Sequence, residues 1–385
     1  MKPFCIAPWT ISHATASGYR SACCVDRAKY PYATLGEWWN STELRQLRLD
    51  MLAHNPPATC ESCLKHFKAV PLHEAMNEAY ADLVDTAVAN TDSEGFYTRV
   101  PVQLEFKHHL CNFACRHCHP SSSTTIRSAY TSAGLSVPVL GPIYDGVTAL
   151  SPEYDDIDYV TNKTRLLSWT GGEPFMNPLL LGTLSKLKAN GNTDCRQHFS
   201  TNGCFKITPI VTSCFDLLKS FPVSITLSLD GIGETGAFLR DGFDQDVFEH
   251  HLAIFRQLGD NVTIKANVCL TNLSILKLHE VVAFCAREHI ELRGQLFSHK
   301  PGHYLSYNLL QFEEARKAFD RALSEAGPES RPHVAKFFDM FARNYNAEFM
   351  EDIDYTTLDL ARITTGRDHS YWTHVVYGYL NTRSD

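Results

Sequence analysis

Between Ser41 and Ala53, Leu44, Leu47 and Leu52 recur near helical period among charged residues, and Pro56-Pro57 stops the pattern, which predicts a helix. A second amphipathic helix is expected from Pro71 to Asn90, with Thr91–Gly95 as a linker. From Val100 short apolar runs alternate with helical patterns. Strands are expected near Val102–Phe106, Arg165–Trp169, Arg196–Ser200, Val223–Leu229, Val262–Val268 and Glu291–Phe297. Helices fit between them at Pro178–Ala189, Ile207–Lys219, Asp246–Leu258 and Ile275–Glu288. Alternation of this kind builds a parallel sheet through right-handed crossovers, and six such units predict an α/β fold, a partial (β/α)6 barrel with its chemistry at the carboxyl ends of the strands.

The stretch from Pro120 to Lys163 is long for one crossover and mixes a Ser/Thr-rich helical pattern with a Pro- and Asp-containing loop. After Pro301 helices are expected at Gln311–Glu325 and Pro332–Met350, followed by an aromatic tail around Tyr371–Tyr379. The chain thus divides into a small cysteine-bearing domain at 1–98, the barrel at 99–300 and a helical carboxy-terminal region at 301–385.

At 385 residues, 44% of them hydrophobic, the chain can bury a substantial core and exceeds one typical domain. A formal charge of -8 without a basic tract argues against nucleic acid as a partner. No apolar run approaches membrane-spanning length and the amino terminus lacks a signal-peptide core, so a soluble, cytoplasmic protein is expected. Thirteen cysteines, an odd number, then point to metal thiolates and buried thiols rather than a disulfide framework.

Directly after the first barrel strand, LEFKHHLCNFACRHCHP sets Cys111, Cys115 and Cys118 at CxxxCxxC spacing on one loop. Iron–sulfur clusters are held by closely spaced thiolates of this kind, and three ligands on a four-iron cluster leave one iron open to a second molecule. The same loop also suits zinc, completed by His108, His109, His117 or His119. After the second strand comes Gly171-Gly172-Glu173-Pro174, whose glycines let backbone approach a ligand closely. Further strand ends carry Ser200-Thr201-Asn202-Gly203 and Ser228-Leu229-Asp230-Gly231, polar groups able to hydrogen-bond a ligand or simply to form turns.

CxxxCxxC after one strand and GGEP after the next resemble the radical S-adenosylmethionine (SAM) superfamily. The resemblance implies a 4Fe–4S cluster on Cys111, Cys115 and Cys118, whose open iron binds the amino and carboxylate groups of SAM. Reductive cleavage then yields a 5′-deoxyadenosyl radical that abstracts hydrogen from substrate. It assigns Gly171, Gly172, Glu173 and Pro174 to the SAM amino group, and Ser200, Asn202, Ser228 and Asp230 to its ribose and amino-acid end. Arg240 matches an arginine that helps hold the SAM carboxylate. His117 stands where the family usually has an aromatic residue beside adenine, and it reads equally as a loop histidine.

Cys5, Cys23, Cys60 and Cys63 form a second set, enough for a four-iron cluster or a zinc site. With the GxxxxC of Gly18–Cys23, this stretch resembles the SPASM and twitch auxiliary-cluster modules, here preceding the barrel rather than following it. The resemblance implies one auxiliary iron–sulfur cluster, with Cys24 competing with Cys23 as ligand. It also implies a reducing partner such as flavodoxin or ferredoxin, and it tilts the substrate toward a ribosomally made peptide over a small molecule. A non-catalytic, SAM-binding iron–sulfur or zinc protein is the alternative of another class.

Cys195, Cys204, Cys214, Cys269 and Cys285 sit beside apolar residues and read as core thiols. Cys204, after the STNG loop, is in addition a candidate for returning a hydrogen atom to a substrate radical. His299, Lys300, His303 and Tyr304 follow the last strand and either line a substrate opening or form a turn.

Overall fold

The computed structural model describes residues 4–14, 20–23, 30, 32, 34–60, 63, 72–134, 137, 155–297, 305–307 and 310–345. Gly18, Cys24, His299, Lys300, His303, Tyr304 and the aromatic tail lie outside them. The ten described strands are β1 Ile11–Ala14, β2 Arg20–Ser21, β3 Gln103–His108, β4 Ala114–Cys115, β5 Leu166–Gly171, β6 Arg196–Thr201, β7 Val223–Ser228, β8 Arg240–Asp241, β9 Val262–Leu270 and β10 Glu291–Leu296. Eight of them form one mostly parallel sheet in the order β10-β9-β7-β6-β5-β3-β1-β2, while β4 and β8 pair separately. All six strands expected from the sequence are present with ends shifted by one or two residues, and the fold is mixed α/β.

The chain divides into two compact units. One comprises residues 1–108, 140–198 and 209–223, the other 109–139, 199–208 and 224–385.

In the first unit, β1 lies parallel to β3 with His13 opposite Glu105, and β3 lies parallel to β5 with Lys107 opposite Thr170. Side chains alternate across a strand, so Phe106 and Trp169 share one face. Their rings stack at 4.6 Å with planes 13° apart, both fully buried. The opposite face is polar toward the strand ends: the Glu105 carboxylate accepts from Thr170 Oγ1 at 2.7 Å and lies 3.0 Å from His13 Nε2. The expected helix at 41–53 runs from Thr42 to Leu52, capped where Ser41 Oγ accepts from Leu44 N. The single helix expected at 71–90 breaks in two at Tyr80, which leaves helical angles and donates its hydroxyl to Gln103 Oε1 at 2.7 Å. A tertiary hydrogen bond there overrides local helix preference.

In the second unit, β9 and β10 pair in parallel over six positions. The expected helix at 275–288 is two, Asn272–Leu276 and Leu278–Arg287, because Thr271 and Ser274 form a capping box that starts the first early. Gly294 of β10 admits the Phe337 ring, which a Cβ there would meet at 2.9 Å, so the Arg331–Asn344 helix seats on the sheet. Phe312 and Phe319 of the Phe312–Glu325 helix interlock with Phe338 and Phe341 at 5.4–6.0 Å between centroids.

Arg48 is fully buried in the first unit. Its guanidinium donates to the carbonyls of Pro8, Trp39 and Gly95 and to Asn40 Oδ1, at 2.8–3.3 Å. Arg48→Leu takes the donor from three carbonyls in the core, each loss costing about 1 kcal/mol or more, while Asn40 Oδ1 keeps the Tyr97 N–H at 3.0 Å. The expected loss is about 3–5 kcal/mol of that unit's stability, read as a lower urea midpoint relative to wild type.

Candidate functional site

The three-cysteine loop belongs to the second unit, and the Ser/Thr run that follows it fixes its ends. Ser123 Oγ donates to the Phe113 carbonyl at 2.6 Å and accepts from Ile126 N, capping the Thr124–Ser132 helix. Thr124 Oγ1 accepts from Cys111 N at 3.2 Å, and Thr125 Oγ1 donates to the Cys111 carbonyl at 2.7 Å. Asn112, between the first two cysteines, joins the loop to STNG: its Nδ2 donates to the Cys204 carbonyl at 2.6 Å and its Oδ1 accepts from Asn202 Nδ2 at 3.0 Å. The Asn202 Oδ1 in turn accepts from Cys204 N at 2.8 Å. Arg116 lays its guanidinium over the Phe238 ring at 4.1 Å and donates to the Phe238 carbonyl at 2.6 Å.

Cys115 stands directly opposite Arg240 in the antiparallel β4–β8 pair. Arg240 Nη1 comes within 3.6 Å of Cys115 Sγ, while its Nε donates to Asp230 Oδ2 at 2.6 Å. The Asp230 carboxylate, 1% exposed, also accepts from Cys269 N at 2.7 Å and lies 3.4 Å from His117 Nε2. His117 completes this group by meeting the Phe297 ring edge-on at 6.1 Å, so it is an anchored side chain rather than a loose loop residue.

Burial pushes the Cys115 thiol well above the ordinary range, Arg240 opposes the rise, and Cys118 and Cys111 add to it. Burial likewise raises Cys118. For Arg240, burial works against the charge, but Asp230 and then Cys115 outweigh it and raise its pKa. Two buried thiols that resist ionising alone, with Cys111 near enough to act on Cys115, suit a site where an added cation makes the thiolates stable. Among the described residues, no three His, Cys, Asp or Glu side chains converge closely enough to grip one metal ion.

GGEP lies in the first unit. Gly171 has φ +98°, and a Cβ there would come within 2.3 Å of the His108 carbonyl, the acceptor for Gly172 N at 2.6 Å. Only glycine fits this turn. Pro174 is buried, and Glu173 is fully buried with Oε1 accepting from Phe175 N at 3.2 Å, which caps the short Pro174–Met176 turn. Ser200 and Ser228 are half-buried at the ends of β6 and β7.

At the amino terminus, burial pushes the Cys5 thiol up to about 12, with smaller contributions from Cys60 and Cys63, which therefore lie near it. Cys63 Sγ lies 4.0 Å from His73 Nδ1. The Cys23 carbonyl accepts from Ser21 Oγ at 3.0 Å. Cys204 is 4% exposed and turns its sulfur to the Asp244 carbonyl at 3.3 Å. Cys195, Cys214, Cys269 and Cys285 are buried.

Sequence reasoning missed Asn112, Arg116 and the Ser123–Thr125 staple. Their one visible signal is position, inside or just after the cysteine loop.

No family model matches this chain, and no curated protein matches it. Among solved structures, native anSMEcpe with bound AdoMet is similar at 17% identity and a TM-score of 0.41, over 70% of this chain and 68% of that one. Native anSMEcpe with bound AdoMet and Cp18Cys peptide gives 15% and 0.39, over 69% and 67%. TYW1 with a lysine-pyruvate adduct bound gives 13% and 0.32, over 61% and 76%. Similarity at this level carries no functional argument, which has to come from the side chains. No described helix is long and apolar enough to cross a membrane.

The STNG loop also leans on His251, 4% exposed, whose Nδ1 lies 2.9 Å from the Gly203 carbonyl and therefore carries the proton. Burial lowers its pKa, partly offset by that bond. A depressed histidine pKa means the unfolded chain takes up the proton first, so stability is lost as pH falls through the ordinary value of about 6.5. The thermal midpoint is expected to drop between pH 7.5 and pH 5.5, and to drop less in His251→Gln, as differential scanning fluorimetry would record.

Proposed function

We propose that this chain is a radical SAM enzyme. Cys111, Cys115 and Cys118 would hold a 4Fe–4S cluster. Gly171, Gly172, Glu173, Pro174, Ser200, Asn202, Ser228, Asp230, Arg240 and His117 would contribute to the SAM pocket of a partial (β/α)6 barrel. The observation that supports this best is the loop itself: three thiols on one loop, pinned at Cys111 by Thr124 and Thr125 and faced at Cys115 by a buried guanidinium. When bound, such a cluster would supply the electron for reductive cleavage of SAM, the chemistry that begins hydrogen abstraction from a substrate.

The chain's own residues orient and enclose. Asp230 holds Arg240 and His117 in fixed positions, so Arg240 can present a guanidinium N–H to a carboxylate without first ordering its side chain. Asn112 and Asn202 tie the cysteine loop to STNG and fix one against the other.

At the amino terminus, Cys5, Cys60 and Cys63 would hold an auxiliary cluster with Cys23 as fourth ligand. Resemblance to SPASM and twitch modules supports a ribosomally made peptide as substrate and a flavodoxin- or ferredoxin-like reductant.

The test is anaerobic reconstitution with iron and sulfide, reduction with dithionite in the presence of SAM, and assay of 5′-deoxyadenosine. Wild type is expected to form it, and the Cys111/Cys115/Cys118→Ala variant to lose at least 100-fold. Equal yields from both proteins would overturn the assignment, as would iron-loaded wild type that forms none across candidate substrates.

A further inference from the structure

Two arginines flank the central cysteine of the loop, and they face different partners. Arg116 is committed to Phe238, through ring and carbonyl. Arg240 is aimed at sulfur: β4–β8 pairing sets its backbone opposite Cys115, Asp230 grips its Nε, and Nη1 is left 3.6 Å from Cys115 Sγ. Asp230 cannot swing away, because its second oxygen accepts from Cys269 N on β9. The guanidinium is therefore fixed from three directions, and its side chain is 12% exposed.

We propose that Arg240 is a positioning residue that acts through Cys115: its N–H···S contact stabilises negative charge on that sulfur and holds up the reduction potential of the cluster bound there. This rests on the radical SAM reading, and it gives Arg240 a role that operates before SAM binds. Reduction adds one electron to the cluster and changes no covalent bond of the protein. The added charge is shared by the thiolate sulfurs. Hydrogen bonds to cluster sulfurs and charges close to ligands are established levers on potential, stronger where water is excluded. A donor pre-aligned on one ligand favours the reduced state over the oxidised one.

The experiment is a redox titration of reconstituted full-length protein without SAM, with dithionite as reductant and the reduced cluster read by electron paramagnetic resonance. Arg240→Gln is expected to lower the reduced-to-oxidised ratio at a fixed potential about tenfold, equivalent to 59 mV for one electron. Arg240→Lys should recover part of the shift. Because Arg240→Gln leaves the Asp230 carboxylate buried without its partner, the double variant Asp230→Asn/Arg240→Gln, with no change in net charge, is titrated beside it. It too should fall below wild type. In protein carrying ¹⁵N in the arginine guanidinium groups, pulsed resonance on the reduced cluster should show a nitrogen coupling that Arg240→Gln and the double variant abolish.

If wild type takes up no cluster, the radical SAM reading falls and this inference with it. A loaded cluster whose midpoint and nitrogen coupling are the same in wild type, Arg240→Gln and the double variant would overturn the role of Arg240 alone.

Discussion

A carboxylate that is 1% exposed has to be matched by charge and hydrogen bonds, and the second unit is organised around meeting that demand at Asp230. Arg240 supplies the charge, Cys269 the backbone donor, and His117 a third contact. Each partner comes from a different segment: the strip after the Gly233–Leu239 helix, β9, and the cysteine loop. One buried anion thereby sets where Cys115 and the loop around it lie relative to β9. Its value is geometric more than energetic, since a buried ion pair is a weak source of net stability but an exacting constraint on arrangement.

The two cysteine sets differ in how they are held. Around Cys111, Cys115 and Cys118 every turn is tied by side-chain hydrogen bonds from Ser123, Thr124, Thr125 and Asn112, and a guanidinium faces the middle sulfur. Around Cys5, Asn77 clasps the chain on both sides, its Oδ1 accepting from Ile6 N and its Nδ2 donating to the Phe4 carbonyl, both at 2.8 Å, while Cys63 lies 4.0 Å from His73.

The strands β3, β5, β6, β7, β9 and β10 were legible because apolar runs of six or so residues, separated by helical patterns, leave few other folds open, whereas the two-residue β4 and β8 carried no such run. The four residues of β1, Ile11–Ala14, gave no such signal. They are a strand because β3, some ninety residues on, offers an edge to pair with. The breaks at Tyr80 and Lys277 were hidden for related reasons, one set by a distant glutamine and the other by a cap lying inside an apolar run. In the site, the cysteine spacing was visible because the three positions lie within eight residues of one another on one loop. Asp230 and Arg240 were each singled out as separate ligand contacts, but their mutual bond was not visible. Ten residues apart, with a helix between them, they meet only once the chain is folded.

The contacts that shape the cysteine loop span only 10 to 14 residues, from Phe113 to Ser123 and from Cys111 to Thr125. Those that join it to Asn202, Cys204, Phe238 and Arg240 span 90 to 125. Closing a short loop forfeits less chain entropy than closing a long one, and local contacts form sooner. The order of assembly is thereby written into the sequence spacing: the cysteines acquire their mutual arrangement from their immediate neighbours, and the positive charge beside them is delivered only when β8 docks. A nascent chain holds a shaped thiol loop well before it holds the electrostatic setting in which that loop works.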